Sequence, residues 1–402
     1  MAEQHEKALV PQIRFTGFTD PWEQRKLSDL TDRVSIQSSD SDLPQVEYED
    51  IIPGEGTLNK DLRDKKGGKT GIKFYAGDVL YGKLRPYLMN WLYPQFNGVA
   101  VGDFWVLRAT ECDSSFLYRL VQTGSFQRLA NVSSGSKMPR ADWNLISQSF
   151  FAVPADHAEQ KAIAKGLAEL DTLITLHQRK YDKLCVLKKS MLDKMFPKGG
   201  SLYPEIRFAG FTDPWEQRKL GELASKRIEK NTNGIKETFT NSAEHGVVSQ
   251  LDYFDHDITN DANIGNYSVV HPDDFIYNPR ISAVAPCGPI NRNKLDRNGV
   301  MSPLYTVFSV DDTIDKLYLE HYFKTSRWHQ FMFLEGNSGA RSDRFSISDS
   351  IFFEMPIQCP VLEEQELIAS FFGRLDSLIT LHQRKLELLR NIKKSMLDKM
   401  FV

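Results

Sequence analysis

The chain is short of cysteine and of long hydrophobic runs, and both absences narrow its class. Its 402 residues include four cysteines. None lies in a C-x-x-C pair or at a metal-ligand spacing from histidine, so neither a disulfide framework nor a zinc site is predicted. No run approaches about 18 uncharged apolar residues, which disfavours a membrane span. The charged start MAEQHEKALV lacks the apolar core of a secretion signal. We therefore expect a cytoplasmic protein.

Signatures of catalysis are also missing. The sequence has no G-x-x-x-x-G-K-[ST] phosphate loop and no H-E-x-x-H metal site. The stretch Asn278-Pro279-Arg280 lacks the second proline and the aromatic residue of the N-P-P-aromatic motif of amino-methyltransferases, so it is interpreted as a turn. No E-x-K element follows Asp273-Asp274, as a metal-dependent nuclease would require. We predict no catalytic residue and no metal ligand in this chain.

A large excess of positive charge is absent as well. The formal net charge is −3, so the chain is not a polycation that coats nucleic acid through bulk charge. Any basic site for nucleic acid must be a local patch. The length allows about two to three domains, each with its own core.

What the sequence does contain is a duplication. Three stretches are repeated almost unchanged: IRF(T/A)GFTDPWEQRKL at 13–27 and 206–220, LITLHQRK at 173–180 and 378–385, and KKSMLDKMF at 188–196 and 393–401. Between these framework segments lie two long inserts, 28–153 and 221–357, with little mutual identity. A duplicated framework offers the same surface to two copies of one partner, whereas unlike inserts can recognise unlike targets.

The repeat predicts a pseudo-twofold α/β (α+β) architecture. Each insert is predicted to be a mixed α/β domain with short strands, and two long helices join the domains. The predicted segments are 1–27 (N-terminal arm and first framework segment), 28–153 (first domain), 154–198 (first spacer helix), 199–220 (linker and repeated framework segment), 221–357 (second domain) and 358–402 (second spacer helix).

The two long helices carry matched apolar seams. The apolar residues of each seam follow one another at spacings of three and four residues as far as Leu184 and Leu389. The last apolar positions of each helix then form an 11-residue segment, which relaxes the left-handed supercoil. Asp156 with Glu159 resembles a capping box. Each helix could simply cover its own domain, but repeated seams in matched phase favour an antiparallel coiled coil. The predicted seam consists of Ile163, Leu167, Leu170, Ile174, His177, Leu184, Ile368, Phe372, Leu375, Ile379, His382 and Leu389.

The seam histidines and a pair of repeated lysines each allow two interpretations. Without further ligands nearby, His177 and His382 are predicted to set the helix register or to be satisfied polar residues, not to bind metal. The repeated lysines at 188–189 and 393–394 are predicted to lie on a solvated face, with a contact to DNA or to a partner as the alternative.

Each insert contains a loop with two basic residues three apart. The segments 134–140 and 338–344 both read S-G-small-basic-x-x-Arg. Glycine permits a tight turn, and the basic side chains could hold phosphates or reach guanine edges. A single copy would best be interpreted as an ordinary turn with solvated charges, but two copies at corresponding places favour DNA contact. The candidate residues are Ser136, Lys137, Arg140, Arg341 and Arg344.

A second basic patch is interleaved with aromatic residues. It lies at 83–87 in the first insert, its counterpart lies at 277–280 in the second, and further positive charge follows. Each of these signals is weak alone, and together they extend the predicted DNA-binding set. The added residues are Lys83, Arg85, Tyr87, Tyr277, Asn278, Arg280, Arg292 and Lys294.

The complete pattern resembles the specificity subunits of type I restriction–modification enzymes. The resemblance covers essentially the whole chain. It rests on the R-F-x-G-F…P-W-E…K-L entrances, the two variable inserts, and the P…E-Q…I-A…L-D-x-L-I-x-x-H-Q-R-K helix starts at Pro154 and Pro360. It implies two target-recognition domains, each reading one half of a bipartite asymmetric site in the major groove of double-stranded DNA, and two helices that act as a spacer.

The resemblance also implies partners. Two modification (methyltransferase) subunits would bind S-adenosylmethionine, and two restriction (endonuclease and translocase) subunits would use Mg and ATP. This chain would itself hold no cofactor and would be non-catalytic. Because the inserts vary within the family, no base contact is assigned to any residue here. The alternatives are a protein-interaction scaffold with duplicated domains on a coiled-coil strut and, third, an independent nuclease or methyltransferase.

Overall fold

The computed structural model of the protein describes residues 9–62, 65, 67–132, 138–253, 264–338 and 343–402. The chain forms two compact units: unit 1 is Met1–Lys180 with His382–Val402, and unit 2 is Tyr181–Leu381. Each unit therefore combines the entrance, insert and helix start of one repeat with the helix end of the other. Within the described ranges, no helix is long and apolar enough to cross a membrane.

Unit 1 is a mixed helix and strand domain. One antiparallel sheet has the order β2-β11-β8-β9, and a second has the order β3-β7-β10-β4, in which only the β10–β4 pair is parallel. Its strands are β1 (Glu23–Lys26), β2 (Thr31–Val34), β3 (Gln37–Ser38), β4 (Gln45–Val46), β5 (Ile51–Ile52), β6 (Thr57–Leu58), β7 (Gly71–Phe74), β8 (Val79–Gly82), β9 (Trp91–Leu92), β10 (Gly98–Ala100), β11 (Phe104–Ala109) and β12 (Phe150–Val153). Its helices are α1 (Leu27–Leu30), α2 (Ser114–Leu120), α3 (Gly124–Ala130), α4 (Trp143–Gln148) and the first part of α5 (His157–Lys194).

Unit 2 repeats the main sheet as β14-β21-β18-β19 and adds the hairpin β15–β16 and the pair β17–β20. Its strands are β13 (Glu216–Lys219), β14 (Ala224–Lys226), β15 (Phe239–Ser242), β16 (Gly246–Ser249), β17 (Ser268–Val270), β18 (Phe275–Tyr277), β19 (Ile290–Arg292), β20 (Gly299–Met301), β21 (Thr306–Val310), β22 (Asn337–Ser338), β23 (Phe345–Ser346) and β24 (Pro356–Cys359). Its helices are α6 (Leu220–Leu223), α7 (Gln250–Tyr253), α8 (Lys316–Tyr322), α9 (His329–Glu335), α10 (Asp349–Phe352) and the first part of α11 (Leu362–Lys399).

The repeated entrance closes each unit in the same way. The EQRK strand pairs antiparallel with the strand that precedes the long helix, as β1 with β12 and as β13 with β24. The tryptophan before that strand is buried in both units, at Trp22 and Trp215. Both tryptophans are therefore core residues of their units.

An arginine from each entrance holds the start of the long helix. Arg14 binds Glu159 through two hydrogen bonds of 2.7 Å, and Arg207 binds Glu364 at 2.8 and 2.7 Å. The prediction of a capping box at Asp156 and Glu159 is wrong in one half. The Asp156 carboxylate accepts from the N–H of Ala158, but the Glu159 carboxylate is occupied by Arg14 and does not cap the helix. A charged donor competes more strongly for a carboxylate than a backbone amide does.

The repeated KMF ends of the long helices complete the domain cores. In unit 1, Phe401 stacks on Phe116 with the ring centroids 5.4 Å apart and meets Trp22 edge-on. In unit 2, the Phe196 ring meets Trp215 edge-on at 6.1 Å. The core of each unit is thus finished by a phenylalanine from the other repeat.

Within each unit, the segments of α5 and α11 run antiparallel. In unit 1, His177 Nδ1 lies 2.8 Å from His382 Nδ1, and Lys393 forms an ion pair of 2.6 Å with Asp171. In unit 2, Lys188 forms the matching ion pair with Asp376. The prediction of a solvated face is wrong for Lys188 and Lys393, because each has a carboxylate partner on the opposite helix. Lys189 and Lys394 are exposed, as predicted.

The predicted seam serves two purposes. Ile163 and Leu167 are buried in the core of unit 1, and Ile368, Phe372 and Leu375 are buried in that of unit 2. The early seam therefore covers its own domain, as the simpler interpretation held. The later seam positions, except for the buried His382, are half-buried: Leu170, Ile174, His177, Leu184, Ile379 and Leu389.

One helical run in each insert is divided into two short helices. The run at 116–130 divides into α2 and α3, and the run at 317–333 divides into α8 and α9. In the first insert, the Thr123 side chain accepts from the N–H of Phe126 and so begins a new helix. A threonine that caps a helix end in this way favours a boundary over continuation.

Candidate nucleic-acid interface

The two predicted basic patches of each insert meet in the fold. In unit 1, Leu84 and Arg140 form an isolated antiparallel bridge, and Arg280 and Arg344 form the corresponding bridge in unit 2. We call these the basic bridges. Each joins the segment after the central strand, β8 or β18, to the segment that ends the S-G-small-basic-x-x-Arg motif. Sequence spacing alone had not brought these patches together.

The backbone hydrogen bonds of the two bridges correspond closely. In unit 1, the N–H of Arg85 donates to Pro139 O at 2.8 Å, and the N–H of Ala141 donates to Lys83 O at 2.9 Å. In unit 2, Ile281 donates to Asp343 O at 3.0 Å, and Phe345 donates to Pro279 O at 2.8 Å. The same backbone geometry thus recurs in inserts with little mutual identity.

The basic bridge of unit 1 presents cations around a single carboxylate. Asp103 lies 3.1 Å from Arg140 Nη2 and 3.5 Å from Lys83 Nζ. The Arg140 side chain is 53% exposed, and Arg85 is exposed beside it. Because Lys83 and Arg140 share the single Asp103 carboxylate, one of their two positive charges is left uncompensated.

A half-buried tyrosine holds the unit 1 bridge in place. The Tyr48 hydroxyl donates to the carbonyl oxygen of Asp103 and accepts the N–H of Leu84 at 3.2 Å. Burial raises the pKa of Tyr48 to about 12, so the hydroxyl stays protonated at neutral pH. The position of the bridge is therefore set by neutral hydrogen bonds as well as by ion pairs.

The segment after this bridge has an unusual backbone. Arg85 and Met89 are non-glycine residues with φ of 50° and 55°, and they flank a 3-10 turn at Pro86–Leu88. Tyr87, at the tip of the turn, is 53% exposed. Left-handed backbone at two such residues is uncommon and often marks functional sites. The turn places an aromatic ring beside the basic side chains.

The unit 2 bridge carries less compensated charge. Arg280 is exposed and Arg344 is half-buried. Neither has a carboxylate partner within the described ranges. Val284, which follows Arg280 in the chain, is 68% exposed. Each unit therefore shows an exposed apolar residue close in sequence to its bridge.

Several predicted DNA-binding residues are placed differently. Tyr277 is buried, its hydroxyl donates to Cys287 O at 2.9 Å, and it packs in the core against Phe352, so its prediction as a DNA contact is wrong. The Asn278 side chain is engaged within the fold, because its Oδ1 accepts from Arg280 N and its Nδ2 donates to Asn241 O. The interpretation of this stretch as a turn is wrong at Arg280, which pairs with Arg344 in the basic bridge of unit 2.

Two more predicted cations are neutralised within the fold. Arg292 forms ion pairs with Asp273 and Glu320, and Lys294 also pairs with Glu320. Arg292 is in addition only 18% exposed, so the prediction that it offers free positive charge is wrong. Three predicted residues lie outside the described ranges: Ser136, Lys137 and Arg341.

Sequence reasoning missed Asp103 and Val284. Nothing in the sequence links Asp103 to Lys83 or Arg140, because only the pairing of β8 with β11 brings the start of β11 next to them. For Val284 a signal existed: it is an apolar residue within a turn rich in small residues, ISAVAPCG.

Three of the four cysteines are buried and unreactive. All four are free, and Cys112, Cys287 and Cys359 are buried. Burial raises the pKa of Cys112 and of Cys359 to about 12 and that of Cys287 to about 11, so these thiols stay protonated at neutral pH. Among the residues that the structure describes, no group of three His, Cys, Asp or Glu side chains could hold a metal ion.

Comparison with known proteins now adds the family. Residues 212–391 match the family described as type I restriction modification DNA specificity domain. The second repeat of the chain therefore contains a domain of this family. The matched range includes part of the repeated entrance, the second insert and most of α11, and so covers most of unit 2.

Two curated relatives match parts of the chain at low sequence identity. The type I restriction enzyme EcoDI specificity subunit of Escherichia coli is 26% identical over 203 residues, covering 48% of this chain and 46% of the relative. The putative type I restriction enzyme MjaX specificity subunit of Methanocaldococcus jannaschii is 24% identical over 254 residues, covering 60% and 56%. The matches thus span about half the length of these relatives.

Solved structures of type I systems share the fold. The S subunit of a type I restriction-modification system from M. genitalium has a TM-score of 0.60 at 11% identity, covering 98% of this chain and 99% of that one. A chain from a structure on complex assembly and conformational transition of the type I R-M system has a TM-score of 0.51 at 17% identity, covering 94% and 97%. The chain therefore shares the fold of these solved structures.

Proposed function

We propose that this chain is the DNA-recognition subunit of a type I restriction–modification complex and reads a bipartite, asymmetric site. Each unit would read one half of that site in double-stranded DNA. The observation that carries the proposal is the recurrence of the basic bridge at corresponding places in two unlike inserts. Phosphate contacts orient a protein on a duplex and base contacts specify the sequence, and both bridges carry arginine, which suits either contact.

The repeated framework supports the proposed partners. Two modification subunits would dock on its two equivalent copies, and two restriction subunits would complete the complex. S-adenosylmethionine would be bound by the modification subunits, and Mg and ATP by the restriction subunits. The paired helices would act as the spacer between the half-sites. In this proposal the chain itself is non-catalytic and needs no cofactor of its own.

The test is a segment exchange read out by methylation. Residues 28–153 are replaced by the corresponding insert of a related chain, and the variant is expressed in a host with its modification subunit. The methylated sites are then mapped across the host genome. We expect one half-site to change and the other to stay as in the wild type, since the framework that docks the partner is untouched. A change in both half-sites would contradict modular recognition.

The protein-interaction scaffold makes a different prediction. A chain that contacts DNA through phosphates releases counterions, so its affinity for a duplex falls steeply with salt concentration. A scaffold without DNA contacts would show no such slope. Methyl transfer by the purified chain alone would instead support the independent enzyme and overturn the non-catalytic assignment.

A further inference from the structure

Unit 2 contains a cleft between α8, β19 and the β15–β16 hairpin, with a volume of about 260 Å³. We call it the α8 cleft. Four cationic side chains and one buried histidine line it: Lys188, Arg292, Lys294, Lys324 and His321. Arg292 and Lys294 were predicted to add only general positive charge to a DNA-binding surface. The residues of the basic bridges do not line the cleft.

The histidine in this cleft lacks hydrogen-bond partners. His321 is 1% exposed, and neither its Nδ1 nor its Nε2 has a partner among the described residues. Its ring lies 5.0 Å from the ring of Phe372. Burial, together with the charge of Lys188, lowers the pKa of His321 to about 4, so the ring is neutral at pH 7. A buried polar group without a partner is costly and calls for a water molecule or a ligand.

The corresponding position of unit 1 is filled differently. Arg119 and His321 each lie six residues after the aspartate that caps their helix, Asp113 or Asp315. Arg119 is nearly buried and donates to Asp171 Oδ2 at 2.6 Å. The shorter histidine makes no such bond. The arginine of unit 1 is thus satisfied by its own domain, whereas the histidine of unit 2 has its nitrogens free beside a cleft.

The charges around the cleft are not fully compensated. Glu320 is neutralised by Arg292 and Lys294. Asp376, which also lines the cleft, is paired with Lys188. The Lys324 ammonium donates to Asn291 Oδ1 and has no carboxylate partner among the described residues. Glu244 lies exposed on the hairpin at the edge of the cleft and forms no ion pair with a described residue.

We propose that the α8 cleft binds an oxyanion of the phosphate class, held by the ammonium of Lys324 and an N–H of His321. A water molecule occupies about 30 Å³ in the liquid, so the cleft has room for a phosphate or a small phosphate ester. Free phosphate and a phosphate of the DNA backbone share this chemistry. Only the DNA backbone as a source of phosphate, and not the site itself, rests on the proposed function.

The test uses the full chain and inorganic phosphate as the probe. Phosphate is titrated by calorimetry at constant ionic strength, with chloride as the balancing anion. We expect one phosphate to bind per chain. H321L removes both ring nitrogens, and K324Q copies Gln122 of unit 1. Each should weaken phosphate binding at least about tenfold, the effect of losing one charge-assisted hydrogen bond.

The control is K394Q, which removes an exposed lysine from unit 1 and should leave phosphate binding unchanged. Equal losses in K394Q would reveal unspecific charge attraction and overturn the site. So would the absence of phosphate binding by the wild type, or wild-type affinity in folded H321L. Should H321L not fold, K324Q decides, because wild-type affinity in that variant also overturns the proposal.

A second arm of the experiment distinguishes the two phosphate sources. If duplex DNA displaces inorganic phosphate from the cleft, the natural ligand is a phosphate of the DNA backbone. If phosphate stays bound in the presence of DNA, the natural ligand is a free anion. Both results support the site. A chain that binds phosphate but no DNA would refute the proposed function and leave this inference standing, so the two failures are separable.

Discussion

Units 1 and 2 share a framework yet differ at the corner where the insert meets the long helix. In both, a helix aspartate accepts a lysine from the opposite helix: Asp171 from Lys393, and Asp376 from Lys188. Next to that aspartate, unit 1 adds a bound arginine, whereas unit 2 has a histidine without a hydrogen-bond partner among the described residues. The difference teaches that the framework keeps its geometry while the insert residues that touch it change freely.

The basic bridges of the two units also share a backbone position but differ in their side-chain surroundings. Both inserts place an arginine in an isolated backbone bridge, but the charge around the bridge differs. Unit 1 balances Lys83 and Arg140 against Asp103, whereas Arg280 and Arg344 have no described carboxylate partner. The backbone position of the bridge is common to both units, and its electrostatics are particular to each.

The largest expected effect is the selective destabilisation of one unit by removal of the phenylalanine that completes its core. Phe196→Ala should lower the free energy of unfolding of unit 2, and Phe401→Ala that of unit 1, each by about 3–5 kcal/mol, because each removes a buried ring and leaves a cavity. Hydrogen exchange measured by mass spectrometry should show faster exchange in α8 for the first variant and in α2 for the second. Leu176→Ala, at an exposed position of α5, is the control with little effect. Faster exchange in the opposite unit would contradict the assignment of the helix ends.

The second prediction sharpens the comparison of the helix starts. Arg207→Ala should cost about 3 kcal/mol of unfolding free energy, because it leaves the buried Glu364 carboxylate unpaired. Arg14→Ala should cost about 1 kcal/mol less, because Glu159 keeps a hydrogen bond from the Trp22 indole at 3.2 Å. The indole nitrogen of Trp215 has no described partner. Denaturant titration of the two variants measures the difference, and a larger loss in Arg14→Ala would refute this reasoning.

The third prediction concerns pH and only unit 2. The pKa of His321 is lowered from 6.5 to about 4 in the folded chain. Between pH 6.5 and pH 4, His321 is protonated in the unfolded chain but not in the folded chain. The free energy of unfolding therefore decreases as the pH falls from 6.5 to 4 and then levels off. The loss should reach at most about 3 kcal/mol. Thermal melts of His321→Gln should show a flatter pH dependence than the wild type over this window. An identical dependence would show that His321 does not contribute.

The smallest effect tests whether the two bridges act independently on DNA. Arg140→Ala and Arg344→Ala should each weaken DNA binding by about 1–3 kcal/mol if the side chain reads a base edge, and should reduce the salt slope by about one if it contacts a phosphate. Binding isotherms at several salt concentrations separate these cases. Arg25→Ala, in the framework strand β1, is the matched control. Unchanged affinity and slope in both bridge variants would mean that the bridges are only turns.

The sequence by itself determined the framework. Near-identical repeats, a helical period and a change of pattern at each insert were enough to predict the long helices and the two domains. These features are local or periodic, so they can be recognised without knowing the fold. The family also followed from the repeated motifs, and the comparisons confirmed it.

Only the tertiary structure decided which side chains meet. Tyr277 had the sequence context of an exposed aromatic, yet strand pairing buries it; Arg292 had the context of a free cation, yet Glu320 neutralises it. Conversely, Asp103 and His321 had no distinguishing motif. The burial and charge partners of a side chain depend on contacts between segments far apart in the chain, and these contacts exist only once the sheets and helices have packed.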